Sequence, residues 1–214
     1  MPRPFVIAYH LIWTAYGWWL PNDPRGSTSR TIRNDILAEL GELHYGRKKA
    51  QPASAEIRRF YRRAKDLLRH PLLEFSPAHI AAVGTAFAEA VSDNRYTCYA
   101  CAVVQDHVHV LIRKHRHKAE EMIANLQDAS RLELQRTTGR YAGHPVWGGE
   151  GWKVFLDSPD DVRRTVRYIG GNPPRHGLPA QRWPFVKAYD GWPLHPGHDP
   201  NSPYARRLRG AKDG

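Results

Sequence analysis

The sequence predicts an α+β domain: an antiparallel sheet with helices on one face. Three observations carry that prediction. Strand-like runs of alternating or β-branched residues occur at 5–14, 95–104, 107–112 and 152–156. Amphipathic stripes of helical period occur at 76–93 and 118–138. Their order, with one more helix from 162, contains a β-α-β-β-α-β core, which is the ferredoxin-like arrangement. A chain of 214 residues suits one domain. Its expected limits are 1–190, with a helical insertion at 18–74 after the first strand and a basic, aromatic tail at 191–214.

The first strand places Phe5, Ile7, Tyr9, Leu11 and Trp13 on one face and Val6, Ala8, His10 and Ile12 on the other. Both faces are mostly apolar, as in an interior strand. His10 is either a satisfied structural histidine or a partner of the later histidine strand. Pro21 to Ser27 are turn formers that open the insertion, and a short helix is possible near 36–43. From Ala55 to Arg69, Ile57, Phe60, Tyr61, Ala64, Leu67 and Leu68 fall on one stripe. Arg58, Arg59, Arg62, Arg63, Lys65 and Arg69 cover the rest, with only Glu56 and Asp66 to balance them. Of these, Arg58, Arg62 and Arg63 are the leading candidates for phosphate contact.

Ser76-Pro77 reads as an N-cap and first turn. Ile80, Val83, Phe87 and Val91 follow as its apolar stripe. Gln105-Asp106 is a short turn between the second and third strands, which should pair as a hairpin. Cys98 and Cys101 lie three apart on a strand, which predicts opposite faces and buried structural thiols, not a zinc or disulfide pair. The helix at 118–138 offers Ala119, Met122, Ile123, Leu126, Leu132 and Leu134 as core positions and ends at Gly139. Ser158 caps a last helix running to about Gly171, with Asp160 and Asp161 in the first turn where the dipole favours them.

Chemistry concentrates on Asp106-His107-Val108-His109-Val110-Leu111-Ile112. Strand alternation puts His107 and His109 on one face, about 7 Å apart. They are either half of a metal site or one hydrogen-bonded and one exposed histidine. The last helix carries Tyr168 and Asn172, four apart and so on one helical face, and Pro173 disfavours helix at Asn172. An amide oxygen is a neutral ligand for a hard cation. Two imidazoles and the Asn172 amide would make three ligands, with positions left for phosphate and water.

The ordered set His107-Val108-His109, then Tyr168-Ile169-Gly170-Gly171-Asn172-Pro173, then Gly177-Leu178 resembles the single-tyrosine HUH transposases, in particular the REP-associated tyrosine transposases. Tyr9 to Trp13, the Trp18 to Gly26 turn, Leu126 to Arg131 and Val146-Trp147 agree with it. The resemblance implies that His107, His109 and Asn172 hold Mg²⁺ or Mn²⁺. It implies that Tyr168 attacks a DNA phosphate to leave a 5′-phosphotyrosine and a free 3′-OH, and that reversal rejoins strands. It further implies either a monomer or a homodimer with shared active sites. Pro174, where a small apolar residue is commoner, and the long insertion depart from the pattern. The chemistry is coherent on its own terms. A phenol, with a pKa of roughly 10, is a poor nucleophile until its proton is drawn off.

Thirty-two Lys and Arg against 21 Asp and Glu give a net charge of +11, which favours a polyanionic partner. Seven Trp and ten Tyr among those cations suit single-stranded or hairpin DNA. Arg131 and the tail residues Arg206 and Arg207 join the candidate DNA contacts. No run approaches the roughly 20 apolar residues of a membrane span, and no signal peptide is evident, so a cytoplasmic, nucleoid-associated protein is expected. Two other functions compete: a hairpin-binding protein whose chemistry is idle, and a metal-dependent DNA hydrolase that uses water.

Overall fold

The computed structural model describes residues 5–27, 35–46, 50–138 and 143–210. Gly139, expected to end the long helix, lies outside these. The sheet is β1 (Ala8–Thr14), β2 (Cys98–Val103), β3 (His107–Arg113) and β4 (Trp152–Leu156), in the order β2-β3-β1-β4 with every neighbour antiparallel. This is the expected ferredoxin-like topology. The helices are α1 (Asp35–Ala38), α2 (Ser54–Leu67), α3 (Pro77–Asp93), α4 (Ala119–Thr138), α5 (Pro159–Gly170), α6 (Asn172–Arg175) and α7 (Pro203–Gly210). None of the described helices is long and apolar enough to cross a membrane.

Helices α3 and α4 cover one face of the sheet. Tyr9, Leu11, Trp13, Val108, Val110 and Ile112 meet Val83, Phe87, Met122, Ile123 and Leu126 there in the main core. Each such side chain contributes on the order of 2 kcal/mol by leaving water. Ser76 caps α3 by accepting from the His79 amide. Gly84, in mid-helix, is explained by packing: a Cβ there would lie 2.0 Å from the Trp183 ring. Leu132 does not join the core and is 57% exposed. At 100° per residue it falls on the far side of the helix from Ile123 and Leu126.

The cysteine expectation needs correcting. Cys98 pairs with Ile112 and Cys101 with Val110, so both sit on the α3/α4 face. A bulge between Cys98 and Ala100 inserts a residue, and three chain positions then span two register positions. Both remain free and buried, and burial pushes the Cys98 thiol up to about 12.

The insertion has a core of its own, in which Leu20, Leu40, Phe60, Tyr61 and Ala64 meet. Beneath them is a buried polar knot. The Asp23 carboxylate accepts from Arg25 Nε at 2.9 Å and Nη2 at 2.7 Å, and from the Tyr61 hydroxyl. Arg25 then lies over the Trp19 ring at 4.0 Å.

The opposite face of the sheet carries a second core, in which Ala8, Ala100, Ala102 and Leu111 meet Val162 and Ile169 of α5. The chain beyond Pro173 is more ordered than its weak periodicity suggests. The Gln181 side chain hydrogen-bonds both backbone groups of Val103 on the β2 edge. Trp192, Tyr204 and Leu208 then pack onto the second core beside Phe5.

Candidate active site

Strand β3 fixes the dyad. His107, His109 and Leu111 share the face that α5 covers, while Val108 and Val110 enter the main core. The end of α5 lies over this face, as the proposed site requires. The Tyr168 ring meets that of His109 edge-on, with centroids 5.5 Å apart, and that of His10 at 6.0 Å. Tyr168 is 43% exposed, and the Arg175 guanidinium lies 5.6 Å from its ring centroid.

Helix α5 ends at Gly170, slightly before the expected boundary. Gly171 stays right-handed at φ −82°, ψ −4° and leads into α6, which starts at Asn172. The four-residue phase from Tyr168 therefore runs on through Asn172 to His176. The His176 ring lies 5.1 Å from that of His107. Asn172 is buried, and its side-chain amide has no hydrogen-bond partner among the described residues. It sits between two residues that each touch the dyad.

Each dyad imidazole is held by its Nδ1. For His107 the partner is Asp106 Oδ1 at 2.7 Å. Burial works to raise the Asp106 pKa, but the hydrogen bond and charge of His107 outweigh it and hold the carboxyl below its ordinary range. The carboxylate can only accept, so His107 Nδ1 bears a proton, and Nε2 is the nitrogen turned away from Asp106. For His109 the partner is His10 Nε2 at 2.9 Å. Strand register explains the pairing, since Ile12 is opposite His109 and His10 is its diagonal neighbour on the same face. Burial lowers His10 to about 4 and, with the nearby His107, drives His109 well below its ordinary value. His10 and His109 are thus neutral near pH 7, the state in which an imidazole binds a cation. Among the described residues no three His, Cys, Asp or Glu side chains form a group that could hold an ion. A three-donor site here needs the amide.

These buried neutral imidazoles predict acid sensitivity. The unfolded chain takes up protons near pH 6.5, but folded His10 resists until about pH 4. Stability is therefore complete above pH 6.5 and is lost as the pH falls from there toward 4, by on the order of 3 kcal/mol for His10. Urea midpoints at pH 7.5 and 4.5 measure it, and His10→Asn should flatten the difference. An equal slope in that variant would contradict the assignment.

The candidate DNA contacts separate. Arg58, Arg62 and Arg63 lie exposed along α2 in the insertion. The insertion leaves β1 at the dyad end, where Thr14 is opposite His107 and its Oγ1 donates to the Trp18 carbonyl at 3.1 Å. Arg131 lies on α4, across the sheet, and is paired with Asp128 at 3.4 Å. Arg206 and Arg207 lie on α7, at the far end of the histidine face, where Arg207 stacks on Phe5 at 5.2 Å. From His107 to Arg113 alone, β3 runs about 20 Å. His176 and Arg175 are not among the sequence candidates; the 168–172–176 spacing is the signal for His176, whereas Arg175 is identified only by its place beside the Tyr168 ring.

In overall fold the chain is similar to solved transposase structures. One is a REP-associated tyrosine transposase bound to a REP hairpin, at 13% identity and TM-score 0.43, over 86% of this chain and 79% of that one. Another is a transposase candidate from Deinococcus radiodurans R1, at 13% identity and TM-score 0.38, over 79% of this chain and 92% of that one. No family model and no curated protein matches the chain.

Proposed function

We propose that the protein is a DNA strand transferase that cleaves and rejoins single-stranded or hairpin DNA through a 5′-phosphotyrosine. The observation that carries this reading is the exposed Tyr168 phenol set edge-on to His109, beside two imidazoles whose Nδ1 atoms are engaged and whose Nε2 atoms have no partner among the described residues. The Tyr168 oxygen attacks phosphorus, the P–O3′ bond breaks, and the departing 3′ oxygen gains the proton that the phenol loses. The phosphodiester energy is kept in the new bond, so the free 3′-OH can reverse the step.

His107, His109 and Asn172 would hold Mg²⁺ or Mn²⁺, and the donor set fits, with two imidazole nitrogens and an amide that has no hydrogen-bond partner among the described residues. When bound, such an ion would polarise the phosphate and stabilise the charge gathering on it. Asp106 and His10 keep the two rings oriented, and Arg175 supplies a fixed positive charge beside the nucleophile.

The test is a labelled hairpin oligonucleotide incubated with protein and Mn²⁺, then run on a denaturing gel. A protein–DNA adduct supports the reading. Free ends with no adduct would mean a hydrolase, and binding without cleavage in any divalent ion would mean an idle binder. Affinity should also fall steeply with salt. Replacing Arg58, Arg62 and Arg63 together with alanine should reduce the slope of log K against log salt by about 2, at roughly 0.7 per lost phosphate contact on a single strand. An unchanged slope would make α2 a plain solvated surface.

A further inference from the structure

Six of the seven tryptophans are committed within the fold. Trp13, Trp18, Trp147, Trp183 and Trp192 pack into hydrophobic clusters, and Trp19 lies under Arg25. Trp152 does neither. It is 37% exposed, belongs to none of the clusters, and has no ring or cation partner among the described residues.

Its position is specific. Ile12 is opposite His109 on one side and opposite Trp152 on the other. The three residues form one row across three strands and face the same way. Two strand spacings put Trp152 roughly 10 Å from His109, a few nucleotides' reach along a strand. Helix α5 lies over β2 and β3, and the tail covers Val154 and Phe5 at the far end. The quadrant between them holds Trp152 with the partly exposed Ile12 and Thr14, and it opens beside the dyad and Tyr168.

We infer that Trp152 is a stacking platform for an unpaired base of the same DNA strand whose phosphate Tyr168 engages. This rests on the function proposed above and adds a specificity element to it. The occupant follows from the chemistry. A lone indole without an apolar surround is a poor protein interface, but it matches the flat face of a base, and the chain's charge of +11 brings the polyanion. The site prefers single strand, because a paired base offers no free face.

The test measures affinity in EDTA, without cleavage, for a labelled mixed-sequence single strand and for its blunt duplex. Trp152→Ala should weaken single-strand binding roughly tenfold, within the range of one base–ring stack, and duplex binding less than twofold. Trp152→Phe should keep most of the affinity. Trp152→Leu keeps an apolar strand residue without the ring and should behave as the alanine variant does. Wild-type affinity in Trp152→Leu, or an equal loss on duplex, overturns the proposal. If wild type forms the adduct and Trp152→Ala binds unchanged, only the stacking role falls. If wild type forms no adduct, the transferase reading falls, and a tenfold single-strand loss still supports the ring as a base platform.

Discussion

Tyr168→Phe should abolish the expected covalent DNA adduct, by roughly 10⁴-fold or more, while leaving DNA affinity within about twofold of wild type. The substitution is narrow. Phenylalanine keeps the edge-on contacts to His109 and His10 and the stack under Arg175. The lost hydroxyl belongs to a 43% exposed residue and makes no hydrogen bond to any described residue, so the fold should not notice. A thermal midpoint within a degree or two of wild type would confirm that only chemistry was removed. The denaturing gel then gives a direct answer. An undiminished adduct in Tyr168→Phe would mean that another tyrosine, or no tyrosine, is the nucleophile. An adduct lost together with DNA binding would mean that the phenol holds substrate and does not attack it.

Asp23→Ala should cost about 3–5 kcal/mol and loosen the insertion before the sheet. The carboxylate is fully buried, and the Arg25 side chain is only 16% exposed. Removing the anion strands a guanidinium and the Tyr61 hydroxyl in a small core that cannot hydrate them. Burial and the Asp23 charge hold Tyr61 well above the ordinary phenol range, so it stays a donor and would have no acceptor left. Arg25 would also lose the fork that holds it against Trp19. Hydrogen exchange along α2 and urea denaturation measure both effects. Replacing Asp23 and Arg25 together by apolar residues should cost less than Asp23→Ala alone, because no charge is left unpaired. A loss below 1 kcal/mol in the single variant would show that the knot is dispensable.

Local periodicity determined much of this protein from the sequence alone. Alternation in 107–112 placed both dyad histidines on one face, and helical spacing placed Tyr168 and Asn172 together. Ser76 and Ser158 marked two helix starts through the amides they accept from. The element order gave the sheet its topology. These features are legible because each depends on backbone geometry over a few residues.

What only the tertiary structure decided depends on register and on which surfaces meet. His10 lies 99 residues from His109 in the chain, and strand pairing makes it that residue's hydrogen-bond partner. One bulge moved Cys98 and Cys101 onto a common face, against simple alternation. The basic residues looked alike in sequence, yet Arg58, Arg62 and Arg63 belong to an insertion rooted at the dyad end, while Arg131, Arg206 and Arg207 are carried elsewhere. Trp152 read as one more strand aromatic. It became a candidate base platform only once α5 and the tail had covered the rest of its face and left that ring in water.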